Sequence, residues 1–320
     1  MKLSERKFQD VKVNDVVLRT VVEGDGPLVI LLHGWPQGWQ FWHKQIDFLV
    51  DAGYRVAVPD QRGYGGSSKP EAIEAYDILK LTDDIPALAR ALGHETFQLI
   101  GHDWGCIVAW NTALLHEDTC TAVMGLSVPF WRPGPEIIDP PGADDKFWFM
   151  RYLQDPAVAE PELEADLAAT LRRIYFCLSA ESPPYSFMKQ FEYPRNTPLL
   201  ETLPPATRLP ACISEEMFDY SVAQFTRSGF RGPNNWYRNL LRHAGLTPEL
   251  EGKKFSQPAA FLCGVADDVP QFIPDWRAQF EAAFEDLRFL EIIDDAAHWV
   301  HLEQPEEVNR HLLRFLRDTA

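Results

Sequence analysis

Residues 101–105 read Gly-His-Asp-Trp-Gly, and they join a short apolar run at 97–100 to a helix-like stretch at about 105–116. Small residues on both sides of a central polar residue allow the sharp strand-to-helix turn that lifts a nucleophile above a sheet. The start of the following helix favours a negative charge there. The pattern therefore predicts a strand, a bend that carries Asp103 and a helix; a plain helix N-cap aspartate is the alternative interpretation.

The rest of the first half alternates short apolar runs with helical patterns. Apolar runs occur at 27–32, 54–58, 97–100 and 123–128, with a hairpin-like alternation at 11–22 and a helical pattern at 77–92. Such alternation is typical of a mainly parallel sheet covered by helices. The sequence therefore predicts a fold of the α/β class.

A different pattern begins near residue 130. Prolines cluster, and aromatic helix-like stretches such as 161–178 and 215–226 replace the strand pattern until about residue 245. Apolar runs of the strand type then return at 259–263 and 289–293, each followed by a helical pattern. We expect a core domain made of residues 1–129 and 246–320, with residues 130–245 inserted as a helical cap.

Charge and cysteine usage restrict the partners of the chain. The net charge of −17 leaves no broad basic surface, which argues against nucleic acid and membranes and favours a small neutral substrate. The five cysteines show no Cys-x-x-Cys spacing, which predicts reduced thiols, a cytoplasmic location and no structural zinc. Residues 1–15 lack a signal-peptide core, and no apolar run is long enough to span a membrane. We expect no cofactor and no metal, and a homodimer is one possible assembly.

The central aspartate restricts the chemistry. A serine that attacked a saturated carbon would form an ether, which water does not readily cleave. A carboxylate forms an ester instead, and this ester can be hydrolysed at the carbonyl carbon of the nucleophile itself. Asp103 therefore predicts substrates with a leaving group on sp3 carbon, either epoxides or alkyl halides, rather than esters or amides.

Hydrolysis of such an ester needs a base and an acid that orients the base. In enzymes with a nucleophile elbow, both residues follow later strands of the sheet. His298 follows the last apolar run and is the expected base, while His301 is a rival that we expect at the surface or in local packing. Asp267 and Asp268 follow the preceding apolar run, and we favour Asp267 to hold the tautomer of His298.

Two backbone N–H groups are expected to face the oxyanion that forms during ester hydrolysis. The natural donors are Trp104, directly after the nucleophile, and Trp35, which follows the apolar run at 27–32. Because Pro36 comes next, the Trp35–Pro36 peptide bond is a candidate for the cis form. The glycine-bearing loop at 60–67 lacks the lysine and spacing of a phosphate-binding loop, and we interpret it as structural support.

These motifs together resemble the epoxide hydrolase family of the α/β-hydrolase fold over nearly the whole chain. The matching segments are 33–36 (His-Gly-Trp-Pro), 60–65 (Asp-Gln-Arg-Gly-Tyr-Gly), 101–105, 297–299 (Ala-His-Trp) and 228–239 (Ser-Gly-Phe-Arg-Gly-Pro-Asn-Asn-Trp-Tyr-Arg-Asn). The resemblance implies the α/β-hydrolase fold, a mostly parallel eight-stranded sheet with helices on both faces and an inserted cap. It also implies that water and a small apolar epoxide are the substrates and that a vicinal diol is the product.

In that family two cap tyrosines hydrogen-bond the epoxide oxygen, because an alkoxide leaving group needs a donor. Tyr237 matches the second of these tyrosines. Phe149 occupies the position of the first and cannot donate, so Tyr152, which follows three residues later, is either its substitute or a packing residue. We also expect Phe149 and Trp299 to line the substrate pocket.

Dehalogenases and a non-catalytic protein of the same fold are the alternatives. A haloalkane dehalogenase would use the indole of Trp104 for halide, but that family usually carries other loops at Trp35 and Arg62. A haloacetate dehalogenase usually has arginine where this chain has Trp104, so the carboxylate clamp is missing. A non-catalytic binding protein would have a broken nucleophile, base or acid, and all three residues are present here.

Overall fold

An eight-stranded sheet forms the centre of the protein in a computed structural model that describes residues 3–132 and 134–319. Its strands are β1 (Phe8–Val13), β2 (Val16–Glu23), β3 (Leu28–Leu32), β4 (Arg55–Pro59), β5 (Phe97–His102), β6 (Cys120–Leu126), β7 (Ala259–Gly264) and β8 (Leu287–Ile293). Their order across the sheet is β1-β2-β4-β3-β5-β6-β7-β8. Strand β2 pairs antiparallel with β1 and β4, and all other pairs are parallel. The predicted α/β class, with a mostly parallel sheet, is confirmed.

Helices follow most strands of the sheet. Those of the core are α1 (His43–Asp51), α2 (Ile78–Ala91) and α3 (Trp104–Leu115) before the inserted segment, and α11 (Trp276–Ala283), α12 (Val300–Glu303) and α13 (Pro305–Asp318) after it. Every residue of β3, β5 and β7 is buried, so both faces of these central strands are covered. Within the described ranges, no helix combines the length and the apolar character that a membrane crossing requires.

Residues 130–245, which we call the cap, lie in sequence between β6 and β7. The helices of this region are α4 (Phe149–Tyr152), α5 (Pro156–Ala165), α6 (Leu167–Cys177), α7 (Leu199–Thr202), α8 (Glu215–Ser228), α9 (Arg231–Arg238) and α10 (His243–Leu246). None of the described cap residues joins the eight-stranded sheet. The division into a core of residues 1–129 and 246–320 and a cap of residues 130–245 stays a proposal. Met1, Lys2, Pro133 and Ala320 lie outside the described residues.

One cap helix predicted from the sequence is two helices in the structure. The prediction placed a continuous helix over 161–178, whereas the chain breaks at Asp166 between α5 and α6. Asp166 has extended backbone angles, and its carboxylate accepts a hydrogen bond from the N–H of Ala169. Asp166 is therefore the N-cap of α6. A residue that caps a new helix in this way takes non-helical backbone angles, so it interrupts a continuous helix.

Close contact between cap and core brings α9 over the carboxyl ends of the strands. A Cβ on Gly232 would lie 2.6 Å from the carbonyl oxygen of Gly63, so neither backbone has room for a side chain at this crossing. The indole of Trp236 donates to the carbonyl of Arg62 at 3.1 Å. Arg62 itself is buried against the Asp84 carboxylate at 2.9 Å, which agrees with the structural role predicted for the loop at 60–67.

Candidate active site

Asp103 stands at the turn between β5 and α3 with φ 56° and ψ −124°, a region of backbone angles that non-glycine residues rarely adopt. The glycines on either side make this turn possible. A Cβ on Gly101 would lie 2.3 Å from the carbonyl oxygen of Gly105, and a Cβ on Gly105 would lie 2.1 Å from that of Leu32. The unusual backbone angles of Asp103 correspond to strain of the order of 1–3 kcal/mol, and residues with such strained backbones cluster at functional sites.

One oxygen of the Asp103 carboxylate is already held by the core. The backbone N–H of Trp35 donates to Oδ1 at 2.6 Å, and the Trp35–Pro36 peptide bond is cis, as predicted. Trp104, the other predicted donor, is the first residue of α3, where backbone N–H groups have no acceptor within the helix. The structure therefore shows the Trp35 N–H on the carboxylate, and the Trp104 N–H is left without an acceptor inside its helix.

The imidazole of His298 lies between two carboxylates. Its Nε2 is 3.4 Å from Asp103 Oδ2, and its Nδ1 is 3.3 Å from both oxygens of Asp267. The backbone carbonyl of His298 accepts hydrogen bonds from His102 Nε2 at 2.7 Å and from Ser127 Oγ at 2.9 Å. The base, the nucleophile and the orienting acid predicted from the sequence thus come together at the carboxyl ends of β5, β7 and β8.

This arrangement is an ion pair in the resting protein. Burial alone would lower the pKa of His298, but the charges and hydrogen bonds of Asp267 and Asp103 outweigh it and raise that pKa to about 10. Burial would likewise raise the pKa of Asp103, but the hydrogen bond and charge of His298 hold it below its ordinary value. At neutral pH the imidazole therefore carries a proton and Asp103 is ionised.

The neighbouring candidates have other contacts. Asp268 accepts hydrogen bonds from the N–H groups of Phe187 and Met188 in the cap, at 3.0 and 3.4 Å. His301 is fully buried, and its ring centroid lies 4.7 Å from that of Trp42. Of the two positions expected for His301, local packing is therefore right and the surface is wrong. Burial and the nearby histidines lower the pKa of His301 well below its ordinary value.

A pocket above Asp103 and His298 is lined mainly by apolar side chains of the core and the cap. The remaining lining residues are Trp35, Trp104, Ile107, Val128, Trp131, Phe149, Met150, Leu178, Phe187, Tyr237, Leu240, Val269 and Phe272. Such a lining suits an uncharged apolar ligand whose reacting atoms meet the few polar groups at the base of the pocket. Among the described residues, no cluster of three or more His, Cys, Asp or Glu side chains could hold a metal ion.

Tyr237 is the phenol of this pocket. Its ring centroid lies 4.9 Å from that of Trp104 and 5.8 Å from that of Phe149, and the residue is only 4% exposed. Burial and the charge of Asp103 raise the pKa of Tyr237 well above its ordinary value. The hydroxyl therefore stays protonated and is a hydrogen-bond donor, while Phe149 contributes only apolar surface.

Two residues predicted for the site lie elsewhere. The hydroxyl of Tyr152 donates to Glu162 Oε2 at 2.8 Å and faces a groove outside the substrate pocket, because this carboxylate of α5 gives the phenol a strong acceptor. Trp299 is fully buried and donates its indole N–H to the carbonyl of Tyr175 at 2.8 Å, so it packs behind His298 instead of lining the pocket. Of the two alternatives for Tyr152, the substitute donor is therefore wrong and the packing residue is right, and the expectation that Trp299 lines the pocket is wrong.

Sequence reasoning missed Glu303 and most of the apolar lining of the pocket, including Leu178. The Glu303 carboxylate bonds the backbone N–H groups of Ala180 and Ala297, both at 2.7 Å. Almost any residue can supply a backbone N–H group, so the sequence at 180 and 297 does not reveal that these residues bind Glu303. Leu178 looked like an ordinary core residue of a helical pattern.

Comparison with known proteins gives consistent results. A family model described as the alpha/beta hydrolase fold matches residues 27–305. Epoxide hydrolase A of Mycobacterium tuberculosis is 43% identical over 314 residues, which cover 96% of each chain. The crystal structure of Epoxide Hydrolase A from Mycobacterium thermoresistibile is 44% identical, with a TM-score of 0.89 and 98% of each chain covered. An epoxide hydrolase from an endophytic Streptomyces is 35% identical, with a TM-score of 0.90 over 98% of this chain and 95% of that one.

Proposed function

This chain belongs to the epoxide hydrolase family of the α/β-hydrolase fold, and we propose that it converts small apolar epoxides to vicinal diols through an ester on Asp103. The observation that supports this most directly is the chain of contacts from Asp103 through His298 to Asp267 at the base of an apolar pocket. Tyr237 lies in the same pocket and can supply the proton that an opening epoxide needs.

In the first step, a carboxylate oxygen of Asp103 attacks a ring carbon of the epoxide. Because Oδ1 is bound to the Trp35 N–H, Oδ2 is the attacking atom. A carbon–oxygen bond forms as the epoxide carbon–oxygen bond breaks, and the electron pair moves to the epoxide oxygen. Tyr237 transfers its proton to that oxygen, and it regains a proton from His298 by way of solvent. The step leaves a hydroxyalkyl ester and a neutral imidazole.

The loss of the Asp103 charge prepares His298 for the second step. That charge and its hydrogen bond help to raise the pKa of His298, so ester formation lowers the pKa and makes the imidazole a base. Asp267 keeps the ring in place and stabilises the imidazolium that forms next. The charge of the nucleophile therefore couples the two steps.

In the second step, His298 takes a proton from water as the water oxygen attacks Cγ of Asp103. The carbonyl oxygen of the ester is Oδ1, which becomes the oxyanion and is stabilised by the N–H groups of Trp35 and Trp104. Collapse of the tetrahedral intermediate breaks the bond between Cγ and Oδ2, and Oδ2 takes up the second proton of the attacking water. The diol leaves with the original Oδ2, Asp103 retains the water oxygen, and His298 is again protonated.

The apolar pocket and the hydroxyl of Tyr237 favour epoxides over the dehalogenase substrates. A halide leaves without taking up a proton, so the Tyr237 hydroxyl would not assist its departure by proton transfer. A haloacid would bury a carboxylate in a pocket whose only cation among the described lining residues is His298, already paired with two aspartates. We also propose that residues 130–245 act as the lid of this pocket and that the protein works in the cytoplasm.

The deciding experiment compares two leaving groups on substrates of similar size. Purified protein is expected to convert a styrene-type or aliphatic epoxide to its diol and to leave a chloro- or bromoalkane unchanged. Diol formation is followed by chromatography and halide release with an ion-selective electrode. Halide release without diol formation would show that a dehalogenase is the correct assignment.

A further inference from the structure

The Glu303 carboxylate ties the cap to the loop that carries the base. Its Oε1 accepts a hydrogen bond from the N–H of Ala180 in the cap, and its Oε2 accepts one from the N–H of Ala297, both at 2.7 Å. Ala297 directly precedes His298, whose own N–H donates to the carbonyl of Leu178 at 3.1 Å. Two hydrogen bonds therefore connect residues 178–180 of the cap with Glu303 and His298 of the core, and a third, from Ala297 to Glu303, lies within the core.

These contacts leave the loop little freedom. The carbonyl of His298 is held from the core side by His102 and Ser127, and its N–H is held from the cap side by Leu178. Leu178 also lines the substrate pocket, whereas Glu303 is not among the lining residues. The same group of contacts therefore sets the position of His298 and of the pocket wall at Leu178. Glu303 contributes two hydrogen bonds to this group and does not line the pocket itself.

We propose that Glu303 is a positioning residue for ester hydrolysis: its carboxylate holds the His298 loop against the cap, so that the imidazole keeps the place from which it activates water. The inference rests on the function proposed above. Ester formation needs from His298 mainly a nearby positive charge, which tolerates small displacements. Hydrolysis needs a proton acceptor at hydrogen-bond distance from one water, where a misplacement of about 1 Å costs up to about a hundredfold in rate. Loss of the Glu303 contacts should therefore slow the second step more than the first.

The protonation state of Glu303 decides whether both contacts exist. Burial, helped by the charge of Asp267, raises the pKa of Glu303 to about 7, although the two N–H bonds and His298 act to lower it. Cys212 is the other titratable group whose electrostatics involve Glu303, and burial raises the pKa of that thiol, so it stays neutral. Protonated Glu303 carries a hydroxyl on one oxygen, and it can then no longer accept from both N–H groups equally well.

Asp268 serves as a comparison, because it bonds two backbone N–H groups through one oxygen, whereas Glu303 uses both. It also holds the cap by backbone N–H groups, but both of its bonds, from Phe187 and Met188, go to the single oxygen Oδ2. Asp268→Asn keeps one amide oxygen, which can accept both bonds. Glu303→Gln also keeps only one oxygen, but its two bonds go to two different oxygens, so one of them is lost. The exposed Glu306 makes neither kind of contact with the cap, and Glu306→Gln is the control.

The test measures the two steps separately by rapid quenching and intact-protein mass spectrometry with an epoxide substrate. Glu303→Gln is expected to slow the decay of the ester about tenfold and to change its formation by less than about twofold. The ester then accumulates, and kcat and KM fall together while kcat/KM changes little. Glu303→Asp keeps the charge but is one methylene shorter, so it is expected to behave in the same way. Asp268→Asn and Glu306→Gln are expected to stay within about twofold of the wild type in both steps.

A second readout uses pH values on either side of the Glu303 pKa of about 7. The ratio of hydrolysis rates, wild type over Glu303→Gln, is expected to be largest on the alkaline side and to approach one on the acidic side, where wild-type Glu303 is protonated. If the wild type and Glu303→Gln hydrolysed the ester equally fast on the alkaline side, the positioning role of Glu303 would be overturned. The same holds if Glu303→Gln slowed ester formation and ester hydrolysis by the same factor. Absence of any ester even in His298→Gln, in which hydrolysis is blocked, would overturn the proposed function itself, and the inference with it.

Discussion

The backbone N–H of Trp35 lies 2.6 Å from Oδ1 of Asp103, while Oδ2 lies 3.4 Å from Nε2 of His298. The two carboxylate oxygens are therefore not equivalent. In the proposed mechanism Oδ2 forms the bond to substrate, and Oδ1 becomes the ester carbonyl without moving to a new donor. This division of roles predicts where the oxygen of water goes and which substitutions interrupt each step.

A single turnover in heavy-oxygen water is expected to label Asp103 and not the diol. Water attacks Cγ of Asp103, and the diol leaves with the oxygen that the carboxylate supplied. Digestion followed by mass spectrometry of the peptide containing Asp103 measures the label. An unlabelled peptide after many turnovers would rule out the ester mechanism.

His298→Gln is expected to trap the ester, because the glutamine cannot take a proton from water. Intact-protein mass spectrometry should show one equivalent of substrate added, with diol formation reduced by at least about a hundredfold. Asp103→Asn, which lacks the nucleophilic carboxylate, should show neither adduct nor diol. The same adduct in Asp103→Asn would place the nucleophile on another residue.

Tyr237→Phe is expected to lower kcat/KM by about a hundredfold or more, because the opening epoxide loses its proton donor. Tyr152→Phe is the matched control and should stay within about threefold of the wild type, since its hydroxyl is bonded to Glu162 outside the pocket. Initial rates of diol formation measure both variants. Comparable losses in the two variants would return Tyr152 to the site.

Gly34→Ala is expected to lower activity by about a hundredfold or more. A Cβ at this position would lie 2.1 Å from Oδ1 and 2.5 Å from Cβ of Asp103, so the whole side chain must shift and leave the Trp35 N–H. Loss of one oxyanion donor typically costs about a hundredfold or more in rate. Gly245→Ala is the control, because a Cβ there meets no atom within 4 Å. Equal activity of the two variants would contradict the role assigned to Trp35.

The pKa of His298 predicts a pH-dependent contribution to stability. Folding raises this pKa from 6.5 to about 10, so the folded state holds the proton more tightly than the unfolded state. The stabilisation is complete below about 6.5 and disappears as the pH rises through about 10. The difference in unfolding temperature between the wild type and His298→Gln should therefore shrink across this range in thermal unfolding experiments. A difference that is independent of pH would argue against the ion pair.

Much of the site could be predicted because its signals are local in the sequence. The bend at Asp103 depends on its neighbouring glycines, and the strands before Asp267 and His298 are recognisable from their apolar runs. In a parallel sheet the carboxyl ends of the strands share one edge, so residues that follow different strands meet there. The family followed from segments that resemble known members, and the comparisons confirm it.

The sequence by itself determined the class of fold and predicted the positions of nucleophile, acid and base, because each prediction follows from residues that are neighbours in the chain. Only the tertiary structure placed Asp267 beside His298 and Asp268 against the cap, turned Tyr152 toward Glu162, buried Trp299 behind His298 and brought Glu303 to two backbone N–H groups. The physical reason is that a polar side chain takes the best hydrogen-bond partner within its reach. Which partners are within reach depends on how cap and core pack, and not on spacing along the chain.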